Sequence, residues 1–216
     1  MNAPPPSATD ARTLDPPRLL VEGFDPRFPG IYRRWLRASS GADIALTRLR
    51  IATLRLAPRD IARLGRLRLV LAELSTSAWE VETHRALLDP GRGPVLRALV
   101  KRLQDGTLEV RSAPLAGWSP DFTVFHRPDH APRALLGPHW LEPTPGLDGP
   151  RFAFAVGGRD ARHVADRFAR IWAAAYDVGP AVTRLLSGTV EALDRLTPPS
   201  DRGIVSAPQN RGVLPP

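Results

Sequence analysis

The chain has 216 residues, no cysteine and a formal net charge of +8. The lack of cysteine excludes disulfides, thiol catalysis and thiolate-bound zinc, and it suits a cytosolic bacterial protein. We expect no transmembrane helix, because the sequence has no apolar run near about 18 residues. We also expect no secretory signal, because the first residues lack a basic stretch followed by an apolar one. These features predict a cytoplasmic location.

The positive charge is typical of nucleic-acid binding, but its distribution is not specific. Of the 30 basic residues, only Lys101 is a lysine and the other 29 are arginines. They are scattered along every predicted element and form no single run. Nucleic acid is therefore one possible partner rather than a conclusion from composition.

The first third of the chain predicts a tail followed by short alternating elements. Met1–Pro17 is rich in proline and aperiodic, which predicts a disordered N-terminal tail. Arg18–Phe24 predicts a short strand or an anchor. Apolar residues at helical spacing predict a helix over Pro29–Ala38. Partial alternation favours a strand over Leu46–Leu54, and Arg59–Gly65 is predicted as a short helix.

The next stretch predicts a strand and two helices. Leu67–Ala72 is almost wholly apolar, as expected of a central strand. A capping box, with Ser77 at the N-cap and Glu80 three residues later, predicts a helix that ends near Leu88. One apolar stripe predicts a second helix over Pro94–Gln104.

The remainder is rich in strands and ends with two helices. A polar turn is predicted over Arg127–Pro132. A long amphipathic helix is predicted from about Ala161 to Tyr176. A last helix is predicted over Ala181–Leu196, before a flexible tail over Thr197–Pro216. The predicted strands are Thr107–Arg111, Phe122–His126, Arg133–Leu136 and Arg151–Val156. This order predicts one α/β domain over residues 18–196, with a mixed β-sheet flanked by helices.

Any functional site is expected where His126 leaves its strand and Gly137 ends the next. Trp118 and Trp140 lie in the loops that flank this cleft, so they are candidate recognition aromatics. His126, His130 and His139 cluster around a turn rather than on a helix, so we predict no metal site. We also predict no cofactor, because the glycines before the long helix complete neither common phosphate-binding motif.

Several short segments resemble the phospholipase D-like superfamily. They are Leu108-Glu-Val-Arg111, Phe122-Thr-Val-Phe-His126, Ala134-Leu-Leu-Gly-Pro-His139, Phe152–Val156 and Phe168-Ala-Arg-Ile-Trp172. In order and spacing, Leu67–Val178 is similar to one half of that fold. The resemblance implies a histidine that attacks phosphorus, forms a phosphohistidine, and needs a second histidine from another subunit.

The signature of that family, His-x-Lys followed by four residues and Asp, is degenerate in this chain. With His126 as the histidine, Pro128 occupies the lysine position and Arg133 the aspartate position. Pro138 and Trp140 replace the hydroxyl and amide of the family's Gly-Ser-x-Asn. The expected result is a non-catalytic site.

The resemblance still leaves residues that can bind at the degenerate cleft. The candidates for anion or partner binding are Arg127, Arg133, His139, Trp118 and Trp140. Three hypotheses stay open. The first is a non-catalytic module that binds a protein or nucleic acid, the second a homodimeric phosphodiesterase or nuclease that uses His126, and the third a structural or assembly subunit.

Overall fold

The computed structural model describes residues 17–21, 28–47, 58–72, 93–113, 121–137 and 152–196. These residues form eight strands and five helices. In chain order they are β1 (Arg18–Val21), α1 (Phe28–Arg37), β2 (Gly41–Leu46), α2 (Pro58–Arg63), β3 (Arg66–Leu71), α3 (Gly93–Gln104), β4 (Leu108–Ser112), β5 (Phe122–Arg127), β6 (His130–Leu136), β7 (Phe152–Val156), α4 (Gly158–Ala174), β8 (Tyr176–Asp177) and α5 (Gly179–Leu196). No helix among these residues is long and apolar enough to cross a membrane.

All the described strands join one mixed sheet in the order β1-β7-β6-β5-β2-β3-β4-β8. The strands β2, β3 and β4 are parallel, and every other pairing is antiparallel. Parallel neighbours need a crossover connection, and α2 and α3 lie within the connections from β2 to β3 and from β3 to β4. The predicted fold class, a mixed sheet flanked by helices, is confirmed.

The sheet separates two hydrophobic clusters, because successive side chains of a strand point to opposite faces. On one face, α1, α2, α3 and α5 contribute to a cluster that includes Tyr32, Leu96 and Phe125. On the other face, α4 packs through Phe168 and Trp172. The ring of Phe168 stacks on that of Trp172 at 5.7 Å. We call these the α1 face and the α4 face.

Arg102 is a buried arginine that joins the end of α2 to the start of β4. Its guanidinium donates to the carbonyl oxygens of Ile61 and Leu64, at 2.9 and 2.6 Å. It also donates to those of Gly65 and Thr107, at 3.2 and 2.9 Å. The last carbonyls of a helix have no partner within the helix, so Arg102 satisfies groups that α2 leaves open.

Most predicted elements are confirmed to within about two residues at each end, as expected for boundaries. The strand β2 is Gly41–Leu46, and it ends at the residue where the predicted strand Leu46–Leu54 begins. Residues 48–57 lie outside the described part, as does the helix predicted from Ser77 to Leu88. Glycine and aspartate, which occur in β2, have low strand propensity. The alternating residues after Leu46 therefore predicted a strand more strongly than the residues of β2 did.

Two further boundaries differ from the sequence prediction. The turn after β5 is shorter than Arg127–Pro132, because Arg127 pairs with His130 and only two residues separate the strands. One of them, Asp129, has φ 55°, a left-handed conformation that aspartate tolerates. The long helix ends at Ala174, two residues before the predicted end, and Tyr176 lies in β8 with 61% of its surface exposed.

Candidate functional site at the His126 end of the sheet

Three polar side chains from neighbouring strands meet on the α4 face. Asp43 on β2 is in register with Arg68 on β3. His126 on β5 is in register with Gly41, two residues before Asp43 on β2. Residues two apart on a strand share a face, so all three side chains point toward α4. We call Asp43, Arg68 and His126 the Asp43 cluster.

Asp43 is the centre of this cluster, and its side chain is only 3% exposed. The imidazole Nε2 of His126 lies 2.7 Å from Oδ2 of Asp43. The Nε of Arg68 donates to Oδ1 at 2.6 Å, and its Nη2 donates to Oδ2. The main chain of His126 is also held, because its carbonyl accepts from the backbone N–H of Ser40 at 2.9 Å. The imidazole is therefore fixed although its side chain is 39% exposed.

The electrostatics of the cluster keep Asp43 ionised. Burial raises the pKa of the carboxyl, but hydrogen bonds from His126 and Arg68, and the charges of these groups, more than offset it. The pKa of Asp43 therefore lies below its usual range. An ionised carboxylate only accepts hydrogen bonds, so His126 donates its Nε2–H to Asp43. The other ring nitrogen, Nδ1, takes no part in this hydrogen bond.

The helix α4 supports the arginine of the cluster. The guanidinium of Arg68 lies 5.0 Å from the ring centre of Phe168 and 5.3 Å from that of Trp172. Arg111 on β4 lies 4.5 Å from the same tryptophan ring and donates to the Trp172 carbonyl at 3.0 Å. A cation over an aromatic ring is attracted to its negative face. These contacts fix Arg68, and through it Asp43.

Gly41 separates His126 from a second arginine. It is in register with His126 on one side and with Arg66 on the other. A Cβ at Gly41 would lie 2.9 Å from the carbonyl oxygen of Arg66, which is closer than such atoms approach. The side chain of Arg66 donates to Glu109 at 2.8 Å. The position between His126 and Arg66 therefore has no side chain, and a larger residue would not fit there.

The structure places Arg127 and Arg133 on the α1 face, away from the imidazole of His126. Arg133 is in register with Phe125, and its guanidinium lies 5.3 Å from the ring centre of Trp35. Arg127 donates to the carbonyl oxygen of Ala131 from Nε at 3.1 Å and from Nη2 at 2.7 Å. Burial, and then the charge of Arg133, lowers the pKa of Arg127. These two arginines are near each other but do not join the Asp43 cluster.

Three other predicted site residues belong to segments outside the described part of the chain. His139, Trp118 and Trp140 lie outside the described residues, as does Pro138. His130 is exposed at the start of β6. Within the described part of the chain, no three histidine, aspartate or glutamate side chains come together as metal ligands.

Asp43 and Arg68 are site residues that the sequence reasoning missed. Each is a charged residue inside an otherwise apolar strand, Ala42-Asp-Ile44 and Leu67-Arg-Leu69. A charge buried in a strand needs a partner, so this pattern was an available signal. It did not identify the partner, because pairing between strands cannot be read from either strand alone.

The arrangement can do two kinds of chemistry. A protonated His126 can bind an anion, while a neutral His126 can accept a proton or attack an electrophile. A separate cavity of about 350 Å³ lies at the β4–β8 edge, lined in part by Glu109, Arg111, Asp177 and Thr183. The Asp43 cluster does not line it.

Comparison with known proteins gives similarity to solved structures only. No protein-family model matches the chain, and no curated protein matches it. Similar structures include TrmBL2, an archaeal chromatin protein with a novel mode of DNA binding, at 13% identity and a TM-score of 0.44. They include Nuc from Salmonella typhimurium, a phospholipase D family member, at 9% identity and a TM-score of 0.44. They also include phosphatidylserine synthase from Haemophilus influenzae Rd KW20, at 13% identity and a TM-score of 0.43.

The coverage of these alignments differs between the structures. The chain aligns over 74%, 75% and 83% of its own length with TrmBL2, Nuc and the synthase, respectively. It spans about half of the length of TrmBL2 and of the synthase, 54% and 46%, but 98% of Nuc. The phospholipase D family, which the sequence resembles, is thus represented among the similar solved structures.

Proposed function

We propose that this chain is a non-catalytic binding module that holds a phosphate-like group of a protein or nucleic-acid partner at the Asp43 cluster. The observation that carries the proposal is the hydrogen bond between His126 and Asp43, 2.7 Å long. It fixes a half-exposed imidazole beside a buried carboxylate. A protonated His126 presents Nδ1–H as a donor to an anion.

The charges around the cluster also favour an anion. Three arginines near the cluster, Arg66, Arg68 and Arg111, are balanced by three acids, Asp43, Glu109 and Asp177, so a protonated His126 supplies the positive excess. Protonation of His126 adds one more positive charge. Charge-assisted hydrogen bonds of this kind are about twice as strong as neutral ones.

The hairpin after His126 argues against turnover. Pro128 is exposed at the two-residue turn, where the family resemblance places a lysine. Phosphoryl transfer needs donors that neutralise the equatorial oxygens, and proline has no side-chain donor. Losing one such donor typically costs about a hundred- to a thousand-fold in rate. We therefore expect binding without hydrolysis.

Binding of inorganic pyrophosphate is measured by isothermal titration calorimetry in every variant, and the ring ¹⁵N resonances of His126 report it as well where that residue is present. Pyrophosphate should shift the His126 resonances of the wild-type chain in a saturable way. The substitution His126→Gln should weaken pyrophosphate binding at least about tenfold. The matched control is His163→Gln, since His163 is exposed on α4 and outside the cluster. Equal affinity in the His126→Gln and wild-type proteins would contradict the proposal.

A second function is favoured by one observation. A carboxylate that hydrogen-bonds a histidine also orients it as a nucleophile or base. In this second function the chain is a homodimeric phosphodiesterase, in which His126 is the nucleophile and another copy of the chain supplies the second histidine. The test is turnover of bis-p-nitrophenyl phosphate, single-stranded DNA and a phospholipid. Turnover by the wild type that is lost in His126→Ala would replace the non-catalytic proposal with this one.

A further inference from the structure

We infer that the outer faces of α1 and α2 bind the phosphate backbone of a nucleic acid. The surface consists of five exposed arginines, Arg33, Arg34, Arg37, Arg59 and Arg63, and we call it the α1–α2 arginine surface. It lies outside the helices on the α1 face of the sheet, whereas the Asp43 cluster lies on the α4 face. The inference therefore does not rest on the function proposed for His126.

Charge is more concentrated here than on α4 or α5. Together α1 and α2 have 16 residues, with five arginines and one acid, Asp60. The 17 residues of α4 carry four arginines and two acids, and the 18 of α5 carry two of each. Local excess of one sign sets the field that a charged partner meets.

The basic residues of α3 do not form a comparable surface, because each has a partner. Arg102 is buried among carbonyl oxygens. Arg97 pairs with Asp194 at 2.6 Å, and Lys101 pairs with Asp105 at 3.5 Å. On α1 and α2, by contrast, the side chains of Arg34, Arg59 and Arg63 have no hydrogen bond or ion pair to any described residue.

The one acid of α1 and α2 is buried beneath the surface, where it orients two of the arginines. The side chain of Asp60 is only 2% exposed. Arg37 reaches it through Nε at 2.9 Å, and Arg33 through Nε at 3.7 Å. Both contacts leave the terminal Nη groups available, on side chains that are 39% and 52% exposed. A guanidinium fixed in this way offers two parallel donors that match the oxygens of a phosphate.

The character of the surface favours nucleic acid over a protein partner. The core of a protein interface is normally apolar and rich in aromatic residues. The large apolar side chains that are exposed in the described part of the chain, Leu19, Phe154, Tyr176 and Leu196, all lie outside α1 and α2. The phosphate backbone of a nucleic acid is recognised through charge and bidentate donors alone. Binding through this surface is therefore independent of base sequence.

The test is fluorescence anisotropy with a labelled duplex DNA of mixed sequence, from about 50 to about 200 mM salt. The triple variant Arg34→Gln, Arg59→Gln, Arg63→Gln removes three charges without touching Asp60. Its affinity at the lowest salt should fall about tenfold or more, and the slope of log K against log salt should become shallower by up to about 2.7. The triple variant should still show the saturable pyrophosphate shift of the His126 ring ¹⁵N resonances seen in the wild type, which separates this surface from the Asp43 cluster.

The matched control is the triple variant Arg162→Gln, Arg170→Gln, Arg184→Gln, which loses the same charge from exposed positions on α4 and α5. An affinity loss confined to the α1–α2 variant, with an unchanged melting temperature, supports the inference. Equal loss in both variants, or no binding by the wild type at the lowest salt, would overturn it. So would equally tight binding of poly-glutamate, because the surface would then fit any acidic chain.

Discussion

Burial of Asp43 depends on the two side chains that meet it. An isolated carboxylate in the interior is strongly unfavourable, and pairing makes its burial tolerable. Arg68 supplies two hydrogen bonds and His126 supplies one. The result is a fixed arrangement in which removing any member leaves another without its partner.

Asp43→Asn should destabilise the protein strongly at neutral pH. The substitution keeps the size of the side chain but leaves Arg68 partly buried without a counter-charge. Breaking a buried pair in this way typically costs about 3–5 kcal/mol. Urea denaturation measures it, and Asp166→Asn, on the exposed side of α4, should change the free energy of unfolding by less than about 0.5 kcal/mol. Equal stability of the Asp43→Asn and wild-type proteins would show that the charge of the Asp43 carboxylate does not stabilise the fold.

The same residue predicts a dependence on pH. The pKa of Asp43 is lower in the folded chain than its ordinary value, so the folded state binds fewer protons at this carboxyl than the unfolded state does. Its stabilising contribution is complete above the ordinary pKa, about 3.9, and is lost as the pH falls below it. The difference in unfolding free energy between wild type and Asp43→Asn should therefore shrink below about pH 4. A difference that is constant down to about pH 2 would contradict the lowered pKa.

Arg102 should be irreplaceable by lysine. Its planar guanidinium reaches four carbonyl oxygens, three at the end of α2 and one just before β4. A lysine ammonium is a compact point charge and cannot reproduce that geometry. We expect Arg102→Lys to lower the free energy of unfolding by about 1–3 kcal/mol, measured in urea. The neighbouring Lys101→Arg, at an exposed position, is the control and should have little effect.

The helix α4 is anchored by one aromatic residue. Phe168 is fully buried, its ring meets that of Phe122 edge-on at 6.4 Å, and it supports the guanidinium of Arg68. Phe168→Ala should cost about 3–5 kcal/mol, as expected for a buried aromatic. Chemical denaturation tests this, with Tyr176→Ala as the control at an exposed aromatic position. Similar losses in the two variants would mean that α4 is not docked through Phe168.

The helices were the most predictable elements, because their apolar stripes recur every three or four residues. The buried strand Leu67–Ala72 was also predictable, since it is almost wholly apolar. By contrast, β2 and β8 were not. The burial of β2 comes from its neighbours on both sides. The two residues of β8 carry no periodic signal and are defined by pairing with β4.

The candidate site was predictable only in part, since it depends on pairing between distant strands. His126 could be named from its place at the end of an apolar strand. Its partner Asp43 lies 83 positions earlier in the chain. The face occupied by Arg133 depends on the register of β6 against β5, which shifts between Phe125 and Arg127. Strand alternation does place Arg127 opposite His126, but no sequence pattern fixes that register.

Both hydrophobic clusters are formed, within the described chain, by residues between Leu20 and Leu193. A shortened protein running from Arg18 to Leu196 should therefore retain its melting temperature to within about 4 °C, since a loss of about 1 kcal/mol shifts a domain of this size by 2–4 °C. Differential scanning calorimetry of the full and shortened chains measures this. A decrease of more than about 10 °C would mean that a removed segment contributes to the fold.

The pairing of β1 with β7 has a consequence for how the protein is made. Leu20 pairs with Ala153, about 130 residues later in the chain. At about 5–20 residues per second, a ribosome needs roughly 7–26 seconds between making the two strands. Until then β1 has no partner strand, and β7 is not there to cover the outer edge of β6. The strand β1 can join the sheet only after β7 has been made, so the nascent chain carries it without its partner strand while the residues between them are synthesised.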